Sequence, residues 1–326
     1  MEHLLDLFTS DLFRSGVRLG TPIILAALGG ALCNRAGVLN LALEGKMLLG
    51  SFVGILGAYY LHNTYLGVLA AAIAGALVGL IIAFLHLRYN VNLIILAISI
   101  NLFITEMTVF FMRTYLGDVG TWSDPSIRQL PDVPILFLSR LPQLAAFFSS
   151  YNWIVYFSWI ATVVAFVVLF YSKFGRHIRA VGEAKTASET VGISVSRVQV
   201  LVLVVAGVLC GVAGAFLSVG HLTLFTRGMS NGRGWVAVAA ALFGFNHPIG
   251  VFFTGMFFGF ADAFAIRLQT TTDIPPSLVQ FIPNVLTLLA LILVGARTVL
   301  SESLARRRFR LRAQREIAAR GTAEAD

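Results

Sequence analysis

The chain has 326 residues, 57% hydrophobic and 12% charged, with a formal net charge of +8 and a mean hydropathy of +0.83. A soluble domain carries about 25% charged residues, so this composition excludes an ordinary soluble fold. It specifies an all-α polytopic membrane protein whose apolar runs each reach the roughly 20 residues that a crossing needs. The positive balance reads as the Lys/Arg excess of cytoplasmic loops, with a lipid bilayer and no nucleic acid as partner. Cys33 and Cys210 lie far apart in apolar stretches and make no disulfide framework.

The first fifteen residues, MEHLLDLFTSDLFRS, carry Glu2, Asp6 and Asp11 where a signal peptide would be cationic. Leu5, Phe8 and Leu12 share a helical face, so residues 1–15 predict a short interfacial helix. A membrane domain over 16–298 follows. Its spans are expected at 17–33, 43–61, 65–86, 91–113, 152–172, 198–220, 233–246, 249–268 and 277–296, within a total of about 8–10 membrane helices. The span at 233–246 is short and flanked by glycines, which suits a segment packed inside the bundle. A basic tail closes the chain over 299–326.

The segment 21–52, TPIILAALGGALCNRAGVLNLALEGKMLLGSF, starts as a membrane helix and breaks at Asn34-Arg35-Ala36-Gly37. It re-enters apolar sequence carrying Asn40, Glu44 and Lys46, three residues that lipid cannot solvate. A second stretch, 203–244, echoes it: a Gly-rich apolar helix, a polar break from Thr226 to Arg233, then GWVAVAAALFG. Interrupted helices in corresponding positions of two halves make a candidate inverted repeat meeting near the membrane centre. Four G-x-x-x-G pairs, Gly50/Gly54, Gly75/Gly79, Gly207/Gly211 and Gly255/Gly259, predict close helix crossings.

Lys and Arg set the orientation. The 173–197 loop and the tail are both basic and belong in the cytoplasm. Counting back places the 114–151 loop, rich in Asp and Pro, outside, with the N-terminus on the same side. Within the cytoplasmic loop, Glu183 to Thr190 predicts a short helix ended by Gly192. A surface helix there suits docking of a cytoplasmic partner.

Three acids lie at membrane depth, Glu44, Glu106 and Asp262. Each has three open readings: a structural pair, a place on a substrate path, or proton coupling. For pairing, Glu44 has Lys46 or Arg35 nearby in sequence, and Asp262 has Arg267. Asn40, Asn101 and Asn284 are uncharged candidates for the path or for helix–helix hydrogen bonds. Gly45-Lys46 lacks the glycine and hydroxyl positions of a P-loop, so the chain offers no ATP site. No metal-ligand spacing and no G-x-S-x-G elbow occurs, which disfavours an intramembrane enzyme.

With 21–52, RAVGEAKTASETVGISVSR at 179–197 and MSNGRGWVAVAAALFGFNHPIG at 229–250, the chain resembles the permease subunits of bacterial ABC importers. It is similar to the branched-chain amino acid and ribose permease family, within it to the shorter of two paired permeases for nucleosides and simple sugars. The resemblance implies a coupling helix in 179–197, with Glu183, Ala187 and Gly192 at the matching positions and Arg179, Gly182 and Ile193 beside them. It implies uptake by alternating access, without a cofactor in this chain. ATP and Mg would sit on a cytoplasmic ATPase with two fused nucleotide-binding halves. A second homologous permease and an extracytoplasmic binding lipoprotein would complete a system in the bacterial cytoplasmic (inner) membrane. Lys46 stands where an apolar residue is more usual. The alternative reading is an ion-coupled secondary transporter or channel working without an ATPase.

Overall fold

The computed structural model describes residues 10–117, 120–133 and 151–271, all within one unit that ends at residue 273. The expected span at 277–296, Asn284, the basic tail and most of the N-terminal interfacial helix lie outside the described residues. Ser10 to Ser15 form the opening turns of the first membrane helix itself.

Ten helices and four very short strands are described. α1 runs Ser10–Arg35, α2 Leu43–Tyr60, α3 Thr64–Tyr89 and α4 Leu93–Tyr115. After β1 (Thr121–Ser123), β2 (Asp132–Val133) and β3 (Tyr151–Asn152) come α5 (Trp153–Tyr171) and two short helices, α6 (Lys173–Glu183) and α7 (Lys185–Thr190). α8 (Val195–Ala215) passes into a π-helical turn at Phe216–Leu222, then β4 (Leu224–Thr226), α9 (Arg233–Phe243) and α10 (Pro248–Thr271). Six of the helices are long and apolar enough to cross a membrane, in agreement with an all-α polytopic fold.

Local sequence sets the helix starts. Asn63, Asn92 and Asn152 each accept backbone N–H bonds at the N-termini of α3, α4 and α5, the capping role that asparagine favours. Asn90 in the left-handed region ends α3. Apolar composition decides the rest, because in lipid only a helix satisfies its own backbone.

The core is built from α1, α2 and α8, with α3 and α10 packed on their flanks. All four G-x-x-x-G pairs lie at crossings. Gly50 meets Gly211, Gly54 meets Ala215, Gly75 meets Gly207, and Gly259 meets Gly20. A side chain at Gly75 would run into the Gly207 carbonyl, so the α3–α8 approach requires glycine there.

The ends of the bundle are told apart by contacts. Arg18, in the first half of α1, pairs with Asp132 at 3.4 Å, and Thr64 at the start of α3 donates to the Arg128 carbonyl. β1 pairs antiparallel with β4, Thr121 opposite Thr226, and β2 pairs with β3. Those segments form one end. α6 and α7 lie at the other, against the C-terminus of α1. α1 and α8 therefore run in opposite directions, each followed by a polar break.

Candidate functional site

The first break occupies residues 36–42. α1 ends at Arg35, the chain turns at Gly37 (φ +71°), and α2 starts only at Leu43. Its start is held from α4. The Asn101 carboxamide accepts from Gly45 N at 2.8 Å and donates to the Leu41 carbonyl at 3.0 Å. Asn101 is the ninth residue of α4, about 12 Å along it, so α2 begins well inside the membrane. The sequence gives the reason, because Asn40 turns back to accept from Ala42 N at 3.2 Å.

The second break meets the first. β4 is followed by turns through Gly228, Asn231 and Gly232, all at positive φ, before α9 opens at Arg233. α9 has 11 residues, about 16 Å, half a crossing. Glu44 joins the two. One carboxylate oxygen accepts from Ser230 Oγ at 2.6 Å and Gly232 N at 2.9 Å; the other accepts from Gly234 N at 2.7 Å. A carboxylate on the first amides of a helix satisfies donors that lack internal partners and complements the dipole. Gly234 has no room for a side chain, since Glu44's own backbone packs against it.

This corrects the pairing expected from sequence. Neither Lys46 nor Arg35 holds Glu44. Lys46 is fully buried and donates to Asn40 Oδ1 at 3.3 Å. The Asn40 amide in turn contacts Cys33 Sγ at 3.7 Å. Arg35 reaches the turn after α9, donating from Nε to the Asn246 carbonyl at 3.0 Å and from Nη2 to Phe245 O at 3.1 Å. Asn34 adds a 2.9 Å bond to Asn246 Oδ1. One side of α2 thus clamps the start of α9 and the end of α1 clamps its finish.

The other candidates do not join this node. Asp262, on α10, is half-buried and lies within electrostatic reach of Arg233 on α9. Glu106 lies on the exposed side of α4, and no hydrogen bond or ion pair reaches it among the described residues. No group of three His, Cys, Asp or Glu side chains converges among the described residues. A cavity of about 340 Å³ opens beside the second break, between α1 and the π turn, with Arg18, Arg227, Asn231 and Arg233 among its lining residues.

The expected helix over 183–190 is two helices. Ser172 caps α6, accepting from Gly175 N at 3.0 Å, and Ala184 in an extended conformation separates α6 from α7. Glu183 therefore ends a helix instead of starting one. Gly192 at φ +84° follows α7. Glu183, Ala187 and Gly192 are exposed and Ile193 is half-buried. Arg179 sits over the Phe170 ring at 5.3 Å. Gly182 packs on the Arg35 carbonyl and on Gly37, so the α6–α7 pair touches the first break directly.

Sequence reading missed Ser230 and the amides of Gly232 and Gly234 as partners of Glu44. Their signal was present, since S-N-G-R-G before an apolar run has the look of a helix start.

Two broken helices locked at membrane depth, with a surface helix pair seated on one break, define a membrane transport subunit. The chain belongs to the family of the branched-chain amino acid transport system permease component, whose model matches residues 12–291. Among its relatives, the guanosine ABC transporter permease protein NupQ of Bacillus subtilis is 33% identical over 282 residues, covering 83% of this chain and 87% of the relative. The putative glucose ABC transporter permease protein TsgC13 of Haloferax volcanii is 32% identical over 267 residues, 81% of this chain and 79% of the relative. The nucleoside ABC transporter permease protein NupC of Lactococcus lactis is 28% identical over 302 residues, 86% and 90%. No solved structure matches the chain. The protein is thus a multi-pass permease subunit of an ABC transport system, a class that works with an ATPase and a substrate-binding partner.

Proposed function

We propose that this chain is one of two unlike permeases in an ATP-driven uptake system for nucleosides in the cytoplasmic membrane. The observation that carries the mechanism is the seat of Gly182 on Arg35 and Gly37. α6 and α7 present Glu183, Ala187 and Gly192 to the cytoplasm, where an ATPase docks. Movement of α6 is transmitted through Gly182 to the end of α1. Arg35 and Asn34 pass it to the turn after α9, and Glu44 ties the start of α9 back to α2. The two breaks then move as one body, which is what switching a path between its two sides requires.

The nucleoside assignment draws on NupQ and NupC, whose names specify guanosine and nucleosides; the sugar named for TsgC13 is the competing substrate. Two-permease composition draws on Bacillus subtilis, which has a second matching chain of the same designation, the guanosine permease protein NupP. An ATPase with two fused nucleotide-binding halves and a binding lipoprotein complete the system.

The test is uptake into proteoliposomes holding both permeases, the ATPase and the binding protein. ATP-dependent accumulation of radiolabelled guanosine, absent without the ATPase, is the expected result. Accumulation of glucose alone would move the substrate elsewhere. Transport by the purified single chain on a proton gradient would overturn the ABC reading.

A further inference from the structure

The outer faces of the spanning helices are not alike. On α3 the exposed side chains between its ends are apolar, among them Leu69, Leu77 and Phe84. On α5 they are Ile160, Val163 and Val167. α4 differs. Ser99, Glu106 and Arg113 are all exposed, and they recur at intervals of seven residues. Seven residues is almost two helical turns, so the three lie on one line, each about 10 Å from the next. Glu106 is about 20 Å along a helix about 34 Å long, at the level where lipid is least able to solvate a charge. Asn101 faces inward and is consumed by the α2 start, while Thr105 and Thr108 donate to carbonyls of their own helix. Among the described residues, no side-chain hydrogen bond or ion pair engages the polar line.

We propose that the outward face of α4, marked by Ser99, Glu106 and Arg113, lines the aqueous substrate path, and that the second permease forms the opposite wall. The inference rests on the reading of the chain as one of two permeases. It follows from the rule that ionisable residues at membrane depth face protein or water and not acyl chains. It also separates the two halves of the molecule by use. The Glu44 node moves the helices, and α4 offers the surface that substrate passes. On this account the carboxylate of Glu106 accepts hydrogen bonds from the hydroxyl or amino groups of a neutral, donor-rich solute.

The experiment is cysteine accessibility in the complete transporter, reconstituted in liposomes. Cys33 and Cys210 are buried, so the unmodified chain supplies the background. Single variants S99C, E106C and R113C, with L102C on the same side, are treated with a charged methanethiosulfonate reagent; L77C and F84C on α3 report lipid. A thiol reacts as its thiolate, which forms in water and not in hydrocarbon. The expected result is labelling of the α4 positions at least tenfold faster than of the α3 controls. In parallel, Glu106→Gln is expected to lower guanosine uptake at least fivefold while the amount of assembled complex is unchanged. Labelling of the α4 positions as slow as that of the controls overturns the proposal. Should E106C fail to assemble, S99C and L102C must still label. If the unmodified complex shows no ATP-driven uptake, the permease-pair reading fails; if uptake is normal and α4 is unlabelled, only the α4 proposal fails.

Discussion

Glu44 and Glu106 are both carboxylates at membrane depth, and the fold treats them oppositely. Glu44 is saturated, with three donors from a chain segment that lies 186 to 190 positions away. Glu106 is offered outward from α4, and among the described residues no hydrogen bond or ion pair meets it. Hydropathy does not distinguish them, since each is one acid in an apolar run. The difference lies in what surrounds them. Three donors turn a charge into a fastening, whereas an exposed charge, costing roughly 3 kcal/mol in lipid, needs water or a partner. An intramembrane acid thus has to be read from its neighbours before it is assigned to structure or to transport.

The contrast can be broken by substitution, and the effects fall in a definite order. Glu44→Ala is expected to be the most damaging. It strands three donors, and hydrogen bonds to a charged group are worth about 1.5–3 kcal/mol each. A loss of at least about 3 kcal/mol should show as failure to recover a monodisperse complex in detergent, and normal recovery would remove Glu44 as the clamp. Asn101→Ala comes next, leaving Gly45 N–H and the Leu41 carbonyl unmet, at about 1–3 kcal/mol; thermal unfolding of the purified complex reads it. Gly182→Leu puts a side chain into the Arg35 carbonyl. It should reduce stimulation of the ATPase by the loaded binding protein, with the chain still inserted. Unchanged stimulation would break the link from α6 to the first break. Lys46→Met should change stability by less than about 1 kcal/mol. Burial of an ammonium with one 3.3 Å bond is a poor bargain, and an apolar replacement of similar volume is often neutral or better. Smallest of all is Glu106→Gln, expected to shift stability by no more than about 0.5 kcal/mol while uptake falls.

Much of this was legible in the sequence. Asn40, Glu44 and Lys46 in an apolar run revealed the first break, and glycines at both ends revealed that α9 is short. The four Gly pairs located crossings that the fold indeed makes. Sequence proximity failed for the partners. Lys46 is two residues from Glu44, yet its side chain turns to Asn40, because the donors for Glu44 come from the second break. The coupling segment was also misread at its boundaries. Ala184 is a strong helix former, yet it is extended; α6 ends just past Gly182, the weak helix former that must sit on α1, so tertiary contact overrides the propensity of Ala184. The opposed roles of Glu44 and Glu106 were hidden for the same reason, as burial and donor count belong to the assembled bundle.

The most direct test compares Glu44→Gln with Glu106→Gln in one thermal-unfolding measurement on the purified complex. The account predicts a clearly lowered midpoint for Glu44→Gln, whose amide nitrogen cannot accept from Gly234 N or from Ser230 and Gly232, and a wild-type midpoint for Glu106→Gln. Equal midpoints for the two variants, or the reverse order, would contradict it.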